Sequence, residues 1–289
     1  MRAIGLFLFL AFGISWALAF GAHRAGGFEV MGAMPALALM SAYMVGPSIA
    51  ALVTALVFDR GRLGEALGFR GFRPGRILVW ILAGWLIPLL LVVVAIAVSL
   101  LALGEAPADP VAIATAQFEA SGQTLPMPVR DLLLIQLAVG LPLAMVFNTV
   151  FLTLSEELGW RGWLQPRLAG LGFWPMCLLI GVIWGVWHAP LILMGHNYPG
   201  MGWSGVAAMT VFTILLTPYH ALARERGGVI AAAAMHGSVN AFAGLSLMLM
   251  TAPVWPWNGI LGLGGFAVLA AGLLPLWFFR RFRPLAGAR

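Results

Sequence analysis

Eight long apolar runs divide this sequence, and each is long enough to cross a bilayer as a helix. They cover residues 3–22, 31–58, 77–103, 131–154, 172–194, 204–223, 229–250 and 259–279. A membrane-spanning helix needs about 20 apolar residues. Only 9% of the 289 residues are charged, compared with about 25% in soluble domains. We therefore expect an all-α integral membrane protein, a single membrane domain over residues 1–289 with about eight transmembrane helices in one bundle.

The arginines give the expected orientation of this bundle. The net charge of +6 rests on 16 arginines, because the sequence has no lysine. If the N-terminus is inside, only Arg24 and Arg130 fall in outer connections, and arginine enrichment marks the cytoplasmic side. We expect a bacterial-type inner membrane with both termini in the cytoplasm. Arginines that set topology also make nucleic acid an unexpected partner.

Three further segments carry simpler expectations. The first run has a cleaved signal peptide as its competing interpretation, but its length and the presence of Trp16 and Phe20 favour a retained span. The connection over residues 104–130 is rich in alanine, proline and acidic residues, which predicts an external loop with little regular structure. The single cysteine, Cys177, lies within an apolar run, so no intrachain disulfide can form.

Two adjacent glutamates and an arginine follow the fourth apolar run directly. Carboxylates in or near hydrocarbon are costly unless they are paired or wetted. On a helix, residues four apart share a face, so Arg161 can reach Glu157 while Glu156 points elsewhere. We expect Glu157 to be neutralised and Glu156 to be free. The alternative is an ordinary helix end whose charges extend to interfacial water.

Histidines interrupt two later apolar runs. His188 follows Trp184 by one turn and precedes Pro190, which removes a backbone donor and should bend the helix. His236 and Asn240 are four residues apart, so they project from one face. Each of these residues could also serve only to pack helices together. Their position on separate spans of a small bundle favours a shared site.

A carboxylate, two histidines and an asparagine are sufficient to hydrolyse an amide directly. Glu156 would take a proton from water as a general base, and His188 would orient that water or pass the proton on. His236 and Asn240 would donate hydrogen bonds to the developing oxyanion. One glutamate and two histidines can also hold zinc, so a metal site is the chemical alternative. The H-E-x-x-H spacing does not occur, and we expect neither metal nor cofactor.

The three motifs, taken in order, resemble those of the CAAX-protease and bacteriocin-processing family, also called the CPBP or Abi family. They are Glu-Glu-x-x-x-Arg at 156–161, aromatic-x-x-x-His at 184–188 and His-x-x-x-Asn at 236–240, and the similarity covers residues 130–245. Trp184 stands where phenylalanine is commoner. The resemblance implies a glutamate-dependent intramembrane endopeptidase. The implied catalytic residues are Glu156, His188, His236 and Asn240, supported by Glu157 and Arg161.

The expected function is hydrolysis of a peptide bond in a membrane-associated peptide, lipidated CAAX-like peptides included. Its partners would be the peptide or protein substrate and membrane lipids. The alternative is a non-catalytic membrane immunity or scaffold protein, whose polar residues only pack helices. A transporter is a third reading, which the lack of an evident inverted repeat disfavours.

The depth of the site sets a further expectation. Glu156 would lie at the inner end of the fourth span, and His188 roughly 24 Å deep in the fifth if that helix ran straight. One water could not bridge them. We therefore expect residues 155–168 to continue the fourth span as an amphipathic helix. We also expect a water-filled cavity that opens to the cytoplasm and sideways to lipid.

Overall fold

The computed structural model describes residues 2–69, 73–122 and 125–281, and this part of the chain is helical with no strand. Five helices precede the glutamate pair: α1 (Arg2–Arg24), α2 (Ala33–Phe58), α3 (Leu63–Ala66), α4 (Pro74–Leu103) and α5 (Pro110–Ser121). The glutamate pair lies in α6 (Val129–Leu171). Five more follow: α7 (Phe173–Trp187), α8 (Ala189–Leu193), α9 (Trp203–Ala243), α10 (Leu245–Leu249) and α11 (Leu263–Arg281).

The expected all-α membrane bundle is confirmed, although three predicted spans have a different form. Within the described ranges, six helices are long and apolar enough to cross a membrane. The fifth predicted span is divided at His188 into the short apolar helix α7 and the single turn and a half of α8. The sixth predicted span and most of the seventh lie in α9, which is continuous except at one residue, and the end of the seventh forms α10.

That residue is Gly228, where α9 folds back on itself. Gly228 has φ 84° and ψ −176°, which is not a helical conformation and which glycine adopts without a steric penalty. The rings of His220 and His236 stand on either side of it, 5.3 Å apart. Sixteen residues of straight helix would separate them by about 24 Å. α9 is therefore a hairpin of two helices, consistent with the two predicted spans, and its corner takes the place of a loop.

The expectation of little regular structure over residues 104–130 is wrong, because this connection contains the twelve-residue helix α5. Asp109 caps its start by accepting a hydrogen bond from the backbone N–H of Val111 at 2.8 Å. Pro110 occupies the first helical position, where its missing N–H carries no cost. Gly122 ends the helix with φ 65°.

The helix ends fall on two opposite faces of the bundle. On one face Asp59 pairs with Arg167, Gly68 lies beside Arg224, and Glu225 pairs with Arg280. We call this the arginine-rich face. It carries the connections predicted to be cytoplasmic, although Arg70, Arg283 and Arg289 lie outside the described residues and nothing is described of the Arg281 side chain.

The opposite face is formed by the remaining connections. The ring of Phe28 contacts that of His196 in a tilted arrangement, with 6.3 Å between the ring centroids. Tyr198 donates its hydroxyl hydrogen bond to the carbonyl of Leu261 at 2.8 Å. The alternation of connections that the arginine pattern predicts is therefore present in the fold, and it leaves open which face is cytoplasmic.

The fourth predicted span does not end at the glutamates. α6 continues to Leu171, and its segment Thr153–Leu164 is a π-helix, in which hydrogen bonds join residues five apart. Residues 155–165 are all buried, so the helical continuation exists but is not amphipathic. Gly172 then connects α6 to α7. Glu156 and His188 are each sixteen residues from Gly172, which brings them to a similar depth.

Candidate active site

Glu156 lies inside the bundle and is held by neutral donors. It is 2% exposed. Its Oε2 accepts a hydrogen bond from Nε1 of Trp184 at 2.8 Å and a longer one from Nε1 of Trp160 at 3.4 Å. Among the described residues it forms no ion pair. The expected separation of the two glutamates, one paired and one not, is therefore present, but Glu156 is oriented by indoles.

Glu157 is the paired carboxylate. Its Oε1 accepts from Nη1 of Arg161 at 2.8 Å, and both side chains are completely buried, so the pairing predicted from their spacing is confirmed. The same oxygen accepts from Nδ1 of His236 at 2.9 Å. The guanidinium of Arg161 also lies over the ring of Trp184, at 4.4 Å. Glu157 thus links the charge pair to one of the predicted site histidines.

The ring nitrogens of the two histidines are distinguished by these contacts. Nδ1 of His188 lies 2.8 Å from the carbonyl oxygen of Trp184. A carbonyl only accepts, so Nδ1 carries the hydrogen and Nε2 of the neutral ring is an acceptor. Nδ1 of His236 donates to Glu157, so its Nε2 donates only when the ring is protonated. The Glu157 carboxylate is placed to compensate that charge.

One cavity collects all four predicted catalytic residues. It has a volume of about 430 Å³, and Glu156, His188, His236 and Asn240 all line it. A smaller pocket of about 80 Å³ adjoins it and shares the last three of these residues. Trp184 lines the smaller pocket only. The structure therefore brings the four predicted catalytic residues and Trp184 together around two adjoining cavities, while Glu157 and Arg161 lie behind them.

Close packing of α6 against α9 makes this meeting possible. A Cβ added to Gly237 would lie 2.8 Å from Cβ of Asn148 and 2.9 Å from its carbonyl carbon, so the two helices approach to backbone contact. The Nδ2 of Asn148 donates to the carbonyl of Gly237 at 3.3 Å across the same contact. Any larger side chain at 237 would push α6 and α9 apart at this contact, directly beside His236.

The cavity extends from Glu156 towards the face opposite the arginine-rich face. Its outer wall comprises Leu37 and Met40 near the start of α2, Phe147 of α6 and His196 of the loop after α8. Leu37 and Phe147 are also exposed on the bundle surface, at 53% and 66%. The cavity is therefore also open sideways between α2 and α6.

This direction conflicts with one pair of expectations. If the arginine-rich face is cytoplasmic, the cavity opens to the other side of the membrane. A cavity that opens to the cytoplasm and termini that lie in the cytoplasm cannot therefore both hold. At the mouth, burial lowers the pKa of His196, so this histidine adds no charge there at neutral pH.

Three residues near the site were not found from the sequence. His220 is completely buried, and its ring lies 5.5 Å from that of Trp184 and 5.3 Å from that of His236. Tyr43 of α2 lines the large cavity and donates to the carbonyl of Trp187. Asn197 lines both cavities. None of them stands in a motif, and the isolated histidine in an apolar run was the one available indication.

The alternative of a metal site would require at least three ligands close together. In the part of the chain that the structure describes, no three His, Cys, Asp or Glu side chains are close enough to hold one metal ion. The Nδ1 atoms of His188 and His236 both engage protein acceptors, as above.

Comparison with known proteins identifies one family. The family model described as type II CAAX prenyl endopeptidase Rce1-like matches residues 138–242. No curated protein matches the chain. The matched segment runs from the first quarter of α6 to the end of the α9 hairpin and holds every motif residue named above. Over residues 138–242 the chain is therefore similar to this Rce1-like family, and its resemblance to the CPBP family is confirmed over that segment.

Proposed function

We propose that this protein is an intramembrane endopeptidase that uses Glu156 to activate water. The observation that carries the proposal is the shared cavity, in which an unpaired buried glutamate, two histidines and an asparagine meet. The match to an Rce1-like family supports a protease acting on a peptide or protein substrate in a membrane. A helix-packing role alone would not require Glu156 to be turned to a cavity.

The proposed reaction is a direct attack of water on the peptide carbonyl carbon. Glu156 takes one proton of the water as its oxygen forms the new bond, and Nε2 of His188 accepts the other as a hydrogen bond. Asn240 and a protonated His236 donate to the oxyanion of the tetrahedral intermediate. When the intermediate collapses, the C–N bond breaks and the proton on Glu156 passes to the leaving amine.

The cavity wall also favours an apolar substrate segment. Met40, Met44 and Phe151 line it beside the polar residues, and its lateral opening lies between α2 and α6. We propose that the substrate is a membrane-associated peptide and that a lipidated CAAX-like peptide is its best form. A farnesylated peptide should be cleaved at a higher kcat/KM than the same sequence without the lipid. Equal kcat/KM values for the two peptides would show that the lipid is not recognised.

The test of the reaction is a comparison of new peptide termini in membranes that contain wild-type protein or Glu156→Gln. Glutamine keeps the size and the hydrogen bonds to the indoles but cannot act as a base at neutral pH. Termini should appear with the wild type and be absent with the variant, while both proteins melt at the same temperature. Glu225→Gln, on the arginine-rich face, is the matched control and should behave as wild type.

The non-catalytic alternative predicts a different result. An immunity or scaffold protein would give the same termini with the wild type and with Glu156→Gln, because neither would cut. A variant that loses folding together with activity would show that Glu156 is structural. Either result would refute the proposed function.

A further inference from the structure

We propose that Asn197 is a substrate-binding residue, whose side-chain amide hydrogen-bonds the main chain of the bound peptide. This inference rests on the proposed peptidase function and adds a residue that stands in none of the three motifs. It follows from where Asn197 lies, from the backbone conformation that it adopts and from the way its loop is anchored.

The first observation is the boundary between the two cavities. Five residues line both the large cavity and the small pocket. They are His188, Asn197, His236, Asn240 and Ala243. Three of these are the residues assigned above to water and oxyanion, and alanine offers no polar side-chain atom. Asn197 is therefore the one further polar side chain at the point where a peptide passing from one cavity to the other must cross the catalytic groups.

The second observation is the backbone at Asn197. Its φ is 61°, and among the described residues it is the one non-glycine with positive φ. The N–H of Tyr198 donates to the carbonyl of His196 at 2.7 Å, so Asn197 is the central residue of a three-residue turn. A γ-turn with positive φ at its centre is rare and strained. Strained residues occur preferentially at functional sites.

The third observation is the composition of the same loop. Gly195, Gly200 and Gly202 have φ of 96°, 78° and 54°. Glycine adopts such angles without strain, and the loop uses it at three of its four positive-φ positions. The backbone alone would be satisfied by glycine at 197 as well. The asparagine side chain is present at the one position of the four that lines the two cavities.

The loop is fixed rather than loosely tethered. Tyr198, directly after Asn197, is 1% exposed and donates its hydroxyl hydrogen bond to the carbonyl of Leu261. Its ring also contacts that of Trp255 at 6.1 Å. The turn that directs Asn197 is therefore held by a buried anchor. A side-chain amide held in this way can donate to a peptide carbonyl and accept from a peptide N–H, which is the pattern of an extended peptide main chain.

The test uses two substitutions that keep the turn and remove the donor. Asparagine, aspartate and glycine all tolerate positive φ, so Asn197→Gly and Asn197→Asp should fold and melt like the wild type. The probe is a library of quenched fluorescent decapeptides with apolar sequences, assayed with full-length protein in detergent. Both variants should lose about tenfold in kcat/KM, as expected for one hydrogen bond to substrate. Pro199→Ala, in the same loop, should be unchanged.

A second measurement separates this proposal from the proposed function. In the Glu156→Gln background, binding of the best library peptide should weaken by about the same factor when Asn197→Gly is added. Wild-type kcat/KM in Asn197→Gly, or parallel losses of activity and melting temperature, would reduce Asn197 to a turn residue. Weakened binding without any cleavage by the wild type would keep Asn197 as a binding residue and refute the peptidase.

Discussion

Removing the charge of Glu157 should destabilise the protein far more than removing a charge at its surface. Glu157 and Arg161 are completely buried and 2.8 Å apart. With an effective dielectric constant of about 20, Coulomb's law gives an attraction of about 6 kcal/mol at that distance. Breaking a buried pair by removing one partner costs about 3–5 kcal/mol. We expect Glu157→Gln to lower the free energy of unfolding by about 3–5 kcal/mol.

The substitution isolates charge from hydrogen bonding. Glutamine keeps an oxygen that can accept from both Nη1 of Arg161 and Nδ1 of His236. The loss should therefore reflect an uncompensated guanidinium in the bundle interior. Turnover should fall as well, because a protonated His236 would no longer face a carboxylate. Unfolding in mixed micelles, followed by tryptophan fluorescence, measures the first effect, and peptide hydrolysis measures the second.

The matched control is Glu225→Gln. Glu225 pairs with Arg280 on the arginine-rich face, where the two side chains are 30% and 16% exposed. Pairs of this kind contribute about 0–1 kcal/mol. The double variant Glu157→Gln/Arg161→Met should recover much of the stability, since it leaves no charge to compensate. If Glu157→Gln and Glu225→Gln differ by less than about 1 kcal/mol, the buried pair does not have the energy assigned to it here.

Three other predictions address the rest of the site. Neither ring nitrogen of His220 has a hydrogen-bond partner among the described residues. His220→Phe should therefore keep the ring contacts and raise the free energy of unfolding by about 1–2 kcal/mol. If turnover is lost while the free energy of unfolding is unchanged, His220 instead takes part in proton transfer. A chelator should leave hydrolysis unchanged and elemental analysis should find no stoichiometric metal, whereas one zinc per chain, lost together with activity, would establish a metallopeptidase. In a Cys177→Ala background, Met40→Cys and Asn197→Cys should react with a membrane-impermeant thiol reagent added from one side of the membrane, and Arg226→Cys only with reagent added from the other side. Labelling of all three from one side would show that the cavity mouth and the arginine-rich face do not lie on opposite sides of the membrane.

Much of the fold follows from local sequence, and its exceptions have local causes. All eight apolar runs became helices, because an apolar run in lipid satisfies its backbone only as a helix. The unpredicted helix α5 had a signature in the Asp109-Pro110 pair, which caps and starts a helix. The glutamate pair predicts that the fourth span ends at Glu156 and Glu157, but the helix continues through them to Leu171. Charges that are paired or hydrogen-bonded inside a bundle do not end a helix.

Only those contacts of the candidate site that join residues on one helix could be predicted from the sequence, because they follow from residue spacing. Glu157 with Arg161, and His236 with Asn240, are separated by four residues, and each pair shares a local environment as expected. His220 was missed because it meets His236 through the reversal at Gly228, sixteen residues along the chain. Asn197 was missed because its relevance lies in a turn and a cavity boundary, and neither is encoded in a motif.

The turn at Gly172 and the corner at Gly228 explain why the motifs meet in mid-bundle rather than at its end. Both reversals lie on the arginine-rich face, and the motif residues lie about two to four helical turns away from them along the chain. Glu156 and His188 are each sixteen residues from Gly172 at the first reversal, and His236 is eight residues beyond Gly228 at the second. Water and peptide can reach a polar cluster at that depth only through a cavity. The cavity observed here extends away from both reversals. The arginines and the cavity mouth therefore occupy opposite faces. Whichever face proves cytoplasmic, we therefore propose that substrate reaches Glu156 from the face formed by the start of α2 and the Asn197 loop, or from lipid between α2 and α6.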